Sequence, residues 1–161
     1  MKEKVAITGG AGFVGSNLGY MLHKNGYEVL LLDDLSYGHL DNLKINGESF
    51  GTFLNIDIRS RDLKNHLSDV DYVFHLAGIS TLPVCQSDPV NAIDVNVNGT
   101  VNVLESSRLS NVKRVIFAST AGVYENNTKF PCNEDDFIDP TLTYTLSKSF
   151  SEKLCHSYYK L

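Results

Sequence analysis

The stretch Thr8-Gly9-Gly10-Ala11-Gly12-Phe13-Val14-Gly15 decides the fold of this 161-residue chain. It follows an apolar run that begins at Val5, and it opens a helical pattern that continues to Lys24. Three glycines spaced three apart, Gly9, Gly12 and Gly15, permit a tight turn, a close approach of the backbone to a ligand, and close packing of helix on strand. Because free N–H groups and the positive end of the helix dipole attract anions, the stretch predicts a pyrophosphate-binding turn.

Short β-branched runs alternate with longer amphipathic segments along the rest of the chain. The predicted strands cover residues 5–8, 28–32, 52–56, 72–76 and 112–118, and the predicted helices cover 12–24, 59–67, 89–109 and 144–161. Continuous apolar runs are typical of strands that are covered on both faces, which indicates a mostly parallel sheet. We expect an α/β, doubly wound Rossmann fold with strand order 3-2-1-4-5, and residues 1–161 as one domain.

Composition narrows the class of protein. Apolar residues make up 42% of the chain, charged residues 20%, and the net charge is −5. An acidic balance argues against a nucleic-acid partner, and no apolar run is long enough for a membrane span. The three cysteines lack metal-ligand spacing and are typical of a reducing compartment, so we expect a cytoplasmic protein and no metal.

Asp33 follows the second predicted strand, where a carboxylate can accept both hydroxyls of an adenosine ribose. This position favours NAD over its 2′-phosphorylated form, since no arginine lies between Asp34 and Gly38 to pair with the extra phosphate. The alternative is an aspartate that only shapes the loop or caps a helix, a role that suits Asp34 nearly as well.

With Tyr144-Thr145-Leu146-Ser147-Lys148 added, the ordered motifs resemble the extended short-chain dehydrogenase/reductase family, and within it the NAD-dependent nucleotide-sugar epimerases and dehydratases. The match to the T-G-x-x-G-F-x-G motif has no mismatch. The resemblance runs from Thr8 to Lys148. It implies a cofactor-binding set of Gly9, Gly12, Phe13, Val14, Gly15, Asp33, Asp34, Leu35, Ser36, Gly38, Asp57, Ile58, Leu76, Ala77, Gly78, Asn96, Ser119, Tyr144 and Lys148.

The resemblance also implies a catalytic set of Thr120, Tyr144 and Lys148. A tyrosine hydroxyl, with an ordinary pKa near 10, is a poor base at neutral pH. Tyr144 and Lys148 are four apart on a helix, and a neighbouring ammonium favours the phenolate. Thr120 would orient the reacting sugar oxygen toward Tyr144. The alternative is a chance Tyr–Lys pair on a surface helix. We expect His75, in an apolar strand, to be a packed and hydrogen-bonded core residue.

Members of this family differ after the threonine: dehydratases carry Asp-Glu there, and decarboxylases carry a Glu two positions on. This chain has Ala121 and Gly122 instead, which favours epimerisation through hydride removal to NAD and its return to a keto-sugar. A dehydratase, a decarboxylase and a non-catalytic NAD-binding module stay open as alternatives. Glu125 stands where the family usually has glycine, so the shape of that loop is in doubt.

Family members are about twice this length. We therefore expect a fragment that binds cofactor without turnover and lacks the last strands and the nucleotide-sugar domain; a natural short form is the alternative. The resemblance also implies a homodimer through the two long helices. The predicted contact residues are Val95, Val103 and Leu109 on one helix, with a ridge of Phe150, Leu154 and Tyr158 on the other. The alternative is that this ridge faces the sheet.

Overall fold

The computed structural model describes residues 2–45 and 47–161, and the chain divides into two compact units. The first, called the sheet unit, comprises the described residues up to Ala77 together with Gly99–Ala118. The second, called the helical unit, comprises Gly78–Asn98 and Ser119–Leu161. The predicted cofactor-binding residues are divided between the two units, whereas all three predicted catalytic residues lie in the helical unit.

A five-stranded parallel sheet is the framework of the sheet unit. Its strands are β1 (Lys4–Thr8), β2 (Glu28–Asp33), β3 (Thr52–Asn55), β4 (Tyr72–His75) and β5 (Arg114–Phe117). They lie in the order β3-β2-β1-β4-β5, which confirms the predicted doubly wound order. Because parallel strands end at one edge, Thr8 and Asp33 lie at the same edge of the sheet, where such folds bind ligands.

The core of the sheet unit forms around β1 and β2. Val5, Ile7, Val29 and Leu31 are at most 2% exposed, and they pack with Ala11, Leu43 and Phe50. Burial on both faces explains why these strands are continuously apolar instead of alternating.

Six α-helices complete the regular structure of the described residues. They are α1 (Phe13–Lys24), α2 (Leu63–His66), α3 (Leu82–Ser87), α4 (Pro89–Ile93), α5 (Gly99–Leu109) and α6 (Thr143–Tyr158). A π-helical turn, Asp94–Asn98, separates α4 from α5. Two 3₁₀ turns, Leu40–Leu43 and Ala121–Tyr124, and a short antiparallel pairing of Lys44–Ile45 with Glu48–Ser49 account for the smaller elements.

Two helices differ from the sequence prediction. Helix α3 was not predicted, and it tolerates Pro83 because the missing N–H of a proline costs nothing in the first turn. Helix α2 is shorter than predicted because side chains upstream satisfy main-chain donors: Asp57 accepts from the N–H of Arg59, and Ser60 from that of Asp62. Such local bonds compete with helix formation.

The prediction of a long helix over 89–109 is confirmed, since every residue of this range is helical, but a π-helical turn at Asp94–Asn98 separates its two α-helical parts. The spacing of Val90, Ile93, Val97, Val101 and Leu104 predicts one buried face, and the structure confirms this only in part. Val97 and Leu104 are buried, but Val90 is 80% exposed, and Val103, which was predicted to be a dimer contact, is fully buried. The buried face consists largely of small or polar residues, namely Asn96, Gly99, Thr100, Ser106 and Ser107. A count of apolar residues cannot locate a face of that composition.

His75 is a buried, hydrogen-bonded core residue, as predicted. Its ring is 1% exposed and contacts two hydroxyls, with Nδ1 2.7 Å from Thr8 Oγ1 and Nε2 2.9 Å from Thr100 Oγ1. These contacts join β1, β4 and α5 inside the sheet unit.

Residues 2–45 and 47–161 contain no helix with the length and hydropathy to cross a bilayer. The same residues contain no group of three or more His, Cys, Asp or Glu side chains that could hold a metal ion.

Candidate cofactor and catalytic site

The glycine turn between β1 and α1 is shaped so that side chains are excluded. Gly9 has a φ of 70°, and a Cβ there would lie 2.8 Å from the main-chain nitrogen of Ala77. A Cβ on Gly15 would overlap the carbonyl oxygen of Gly9. Helix α1 begins after Gly12 without a side-chain cap and without an acidic residue in its first turn. Its first N–H groups are therefore available to a phosphate, as the predicted pyrophosphate site requires.

Phe13 and Val14 open α1 and are 82% and 62% exposed. Apolar side chains at the mouth of a phosphate-binding turn can cover a cofactor.

Asp33 ends β2 with its carboxylate held by two main-chain donors. Oδ2 accepts from the N–H of Ala11 at 3.0 Å, and Oδ1 accepts from the N–H of Leu35 at 2.8 Å. Gly38 packs so closely that a Cβ there would lie 2.6 Å from Oδ1. The carboxylate is therefore fixed beside the glycine turn, and its remaining lone pairs can accept hydroxyl groups.

Asp34 is used differently. It is exposed, and its Oδ1 accepts from the N–H of Ser36 at 2.9 Å, which closes a turn around Leu35, a residue with a φ of 62°. This is the loop-shaping role that the sequence allowed for either aspartate.

Asp57 is paired with Arg59, a residue that sequence analysis did not single out. Arg59 Nη2 lies 2.6 Å from Asp57 Oδ2, and the Arg59 Nε lies 3.0 Å from both carboxylate oxygens. These hydrogen bonds hold the pKa of the Asp57 carboxyl below its ordinary value, although partial burial opposes them. The sequence motifs of cofactor sites do not include an ion pair between residues two apart in a loop. The pairing of Asp57 with Arg59 is therefore identified only from the folded structure.

Ile58 points into the core of the sheet unit. Its side chain is 5% exposed and packs directly against Gly99. A Cβ on Gly99 would lie only 2.5 Å from Ile58 Cδ1. Asn102 Nδ2 donates to the carbonyl of Ile58 at 2.6 Å. The contacts fix the loop that carries Asp57.

The chain after β4 is attached to the glycine turn. The N–H groups of Leu76 and Ala77 both donate to Thr8 Oγ1 at 3.2 Å. Thr8 is itself the last residue of β1, so one hydroxyl holds two neighbouring strand ends in register.

Asn96 is the centre of the hydrogen bonds in the helical unit. Its Oδ1 accepts from the N–H of Ile79 at 2.8 Å, and its Nδ2 donates to the Ile79 carbonyl and to Ser147 Oγ, both at 3.0 Å. Ser151 Oγ donates to the Asn96 carbonyl at 3.2 Å. Asn96 therefore joins the π-helical turn, the chain after Gly78 and helix α6. A Cβ on Gly78 would lie 3.0 Å from Asn96 Oδ1.

Helix α6 presents Tyr144 and Lys148 one turn apart on one face. Tyr144 is half-buried and packs against the cluster of Ile79, Cys85 and Ala92. Lys148 is 6% exposed, and its Nζ lies 3.8 Å from the position of a Cβ on Gly78. Burial lowers the pKa of Lys148 to about 8. A pair with one long amine and one phenol in a partly buried setting suits proton transfer.

Ser119 and Thr120 directly precede the 3₁₀ turn Ala121–Tyr124, and Thr120 is its N-cap residue. Thr120 Oγ1 accepts from the N–H of Gly122 at 3.1 Å, which leaves its hydroxyl hydrogen for another acceptor. Ser119 Oγ donates to Glu152 Oε1 on α6. Thr120, Tyr144 and Lys148 are thus brought into one compact unit.

Glu125 follows the same 3₁₀ turn, where sequence analysis expected only an altered loop. Its carboxylate accepts hydrogen bonds from Thr141, Leu142 and Thr145. Partial burial would raise its pKa, but these bonds outweigh burial and hold the pKa below its ordinary value. The sequence signal was the departure from glycine, and its partners could not be identified without the fold.

A parallel doubly wound sheet with a glycine turn, an uncapped helix start and an aspartate at the end of β2 defines a dinucleotide-binding protein. The model of the NAD dependent epimerase/dehydratase family matches residues 5–161, and the chain belongs to that family. This confirms the resemblance and NAD as the cofactor.

Two relatives show the range of activities within the family. The UDP-glucose 4-epimerase of Mycolicibacterium smegmatis is 35% identical over 98% of this chain and 52% of its own length. The UDP-N-acetyl-alpha-D-glucosaminuronate decarboxylase of Bacillus cytotoxicus is 36% identical over 98% of this chain and 50% of its own length. The chain therefore spans about half the length of the relatives it matches.

Solved structures give the same result. The UDP-glucose 4-epimerase of Thermotoga maritima, crystallised with UDP-glucose, matches with a TM-score of 0.91 and 32% identity, over 98% of this chain and 51% of that one. The Thermus thermophilus enzyme, crystallised with NAD, matches with a TM-score of 0.88 and 30% identity, over 98% and 51%.

Proposed function

We propose that the protein containing these residues is an NAD-dependent UDP-sugar 4-epimerase, and that the 161 residues alone bind NAD as a single domain without turnover. The observation that carries the proposal is the catalytic set in the helical unit. Thr120, Tyr144 and Lys148 belong to the same compact unit, and no carboxylate follows Thr120 at positions 121 and 122.

The chain's residues divide the work of binding NAD. The glycine turn would hold the pyrophosphate at the start of α1, and the fixed carboxylate of Asp33 would accept the ribose hydroxyls. The remaining proposed contacts are Asp57 with Ile58, Leu76 to Gly78, Asn96 and Ser119. When bound, NAD supplies the hydride acceptor and donor.

Tyr144 would take the proton from the sugar hydroxyl while Thr120 orients that oxygen. The Lys148 side chain, held one turn away on the same face of α6, would offer donors to the nicotinamide ribose. Return of the proton from Tyr144 after the sugar has turned over completes an epimerisation with no net redox change.

The decarboxylase and dehydratase alternatives need an acid in addition to this set. Glu125 is the nearest carboxylate along the chain after Thr120, and it is engaged by hydrogen bonds from Thr141, Leu142 and Thr145. These bonds tie it to its own loop, which supports epimerisation over the two reactions that need a further acid.

The test is to incubate the whole protein with UDP-glucose and follow the sugar by proton NMR in deuterated water. We expect UDP-galactose to form without deuterium at C4, since the removed hydride returns. Release of carbon dioxide from a UDP-uronic acid, or loss of water to a deoxy-sugar, would replace the proposal with one of the two alternatives. NAD binding without any sugar turnover would favour the third alternative, a non-catalytic NAD-binding module.

Assembly and location complete the proposal. The α6 ridge (Phe150, Leu154, Tyr158) begins with Phe150 at 52% exposure and continues with two half-buried residues, which supports a homodimer contact. We propose a cytoplasmic location on separate grounds. The three cysteines are free thiols, as is usual for proteins in a reducing compartment.

A further inference from the structure

The side chain of Glu125 accepts hydrogen bonds from several residues of a distant segment of the chain. Its Oε1 accepts from Thr141 Oγ1 at 2.9 Å, from the N–H of Leu142 at 3.1 Å and from Thr145 Oγ1 at 3.2 Å, and also from the N–H of Thr141. A single carboxylate oxygen thus faces four donor groups from a segment that lies 16 to 20 residues further along the chain. The Thr145 hydroxyl, with one hydrogen, also lies 3.0 Å from the carbonyl of Leu142.

The donors lie at the N-terminal end of α6: Thr141 and Leu142 precede the helix, and Thr145 lies in its first turn. Leu142 is the N-cap residue and makes no side-chain cap, and the first turn of α6 contains no acidic residue of its own. Glu125 therefore places a negative charge beside a helix start that has none of its own. It accepts from the N–H groups of Thr141 and Leu142, whereas the N–H of Thr143 donates to Gln86 Oε1 at 3.0 Å.

The 3₁₀ turn that precedes Glu125 also lies against this first turn. A Cβ on Gly122 would be 2.7 Å from Thr145 Cγ2, so the approach is possible only for glycine. The N–H of the same Gly122 donates to Thr120 Oγ1. Thr120 stands at one end of this contact, and Tyr144, which precedes Thr145, stands at the other.

We propose that Glu125 is a positioning residue: its carboxylate ties the turn that follows Thr120 to the first turn of α6 and so sets the place of Tyr144 relative to Thr120. The inference rests on the proposed function, since it concerns two residues of the proposed catalytic set.

The kinetic test compares Glu125→Ala and Glu125→Gln with Glu134→Ala, an exposed carboxylate of the same loop. In the whole protein, below the unfolding temperature of every variant, Glu125→Ala should lose roughly 10- to 10²-fold in kcat, because a small misplacement of a reacting group has that effect. Its KM for UDP-glucose should stay within about twofold of the wild-type value, as expected when only the chemical step is impaired. Glu125→Gln keeps an acceptor oxygen at the same reach and should retain most of the activity, and Glu134→Ala should retain all of it.

A second measurement is independent of activity. With ¹³C at Cζ of tyrosine, the Tyr144 resonance, assigned through Tyr144→Phe, should move in Glu125→Ala and stay in place in Glu134→Ala. An unmoved resonance, or full kcat in Glu125→Ala with only a lower melting temperature, would reduce Glu125 to a stabilising residue and overturn the inference. If the wild-type protein turns over no UDP-sugar, the proposed function fails while the resonance still tests the placement of Tyr144.

Discussion

The carboxylate of Asp33 accepts a hydrogen bond from the main-chain N–H of Ala11 at 3.0 Å, so the residue proposed to bind ribose is attached directly to the turn proposed to bind phosphate. Both contacts lie inside the sheet unit. The position of the carboxylate is therefore set before any cofactor arrives, which lowers the entropy that binding must lose.

Replacing Asp33 with Ala should weaken NAD binding by about 1.5–3 kcal/mol, the usual contribution of charge-assisted hydrogen bonds. Calorimetry on the whole protein would measure it. Asp62→Ala, which removes an exposed carboxylate outside the proposed site, is the matched control and should change the affinity little. Unchanged affinity in Asp33→Ala, or a native preference for NADP, would contradict the assignment.

Tyr144→Phe should reduce the rate of epimerisation by at least about 10²-fold while NAD still binds, because the variant loses only the hydroxyl that carries the proton. Steady-state kinetics together with an NAD titration would separate the two effects. Tyr159→Phe, at a position 87% exposed, makes the same chemical change outside the site and should be silent. Native turnover by Tyr144→Phe would remove Tyr144 from the mechanism.

Lys148 makes the stability of the NAD-free protein depend on pH. Burial lowers its pKa from 10.5 to about 8, so below pH 8 folding must bury a charged ammonium, whereas above about pH 10.5 the amine is neutral in both the folded and the unfolded state. The free energy of unfolding should therefore rise by about 3 kcal/mol across that window.

The measurement is urea unfolding of the wild type and of Lys148→Met from pH 7 to pH 10.5. Methionine has a similar reach and no charge, so other groups that titrate in the window cancel between the two proteins. We expect Lys148→Met to be the more stable at pH 7 and the difference to vanish at the alkaline end. A difference that does not vary with pH would show that the ammonium is not desolvated.

The α6 ridge predicts a dimer that Leu154→Glu abolishes, since a carboxylate in an apolar helix contact stays desolvated and unpaired. Light scattering at tens of micromolar measures the assembly, and circular dichroism checks that the variant is folded. Lys153→Glu places the same charge at the neighbouring exposed position and should leave the dimer intact. A monomeric wild type would remove the helical interface. A dimer that survives Leu154→Glu would point to another surface, such as the edge of β5.

The sheet, its strand order and the glycine turn could all be predicted from the sequence alone. These features depend on local signals: apolar runs of strand length, glycines at positions where a Cβ would overlap the backbone, and an aspartate at the end of β2. Each can be interpreted within about twenty residues, so a pattern suffices.

The hydrogen-bond partners of Asn96 and Glu125 and the burial of Lys148 could be identified only from the folded structure. The buried face that contains Asn96 is polar and is satisfied by Ile79 and Ser147, partners 17 and 51 residues away. Glu125 finds its donors across an irregular loop, and Lys148 is desolvated by helices that meet only after folding. Polar burial depends on which distant groups supply the hydrogen bonds, and that information arises only when the chain has folded.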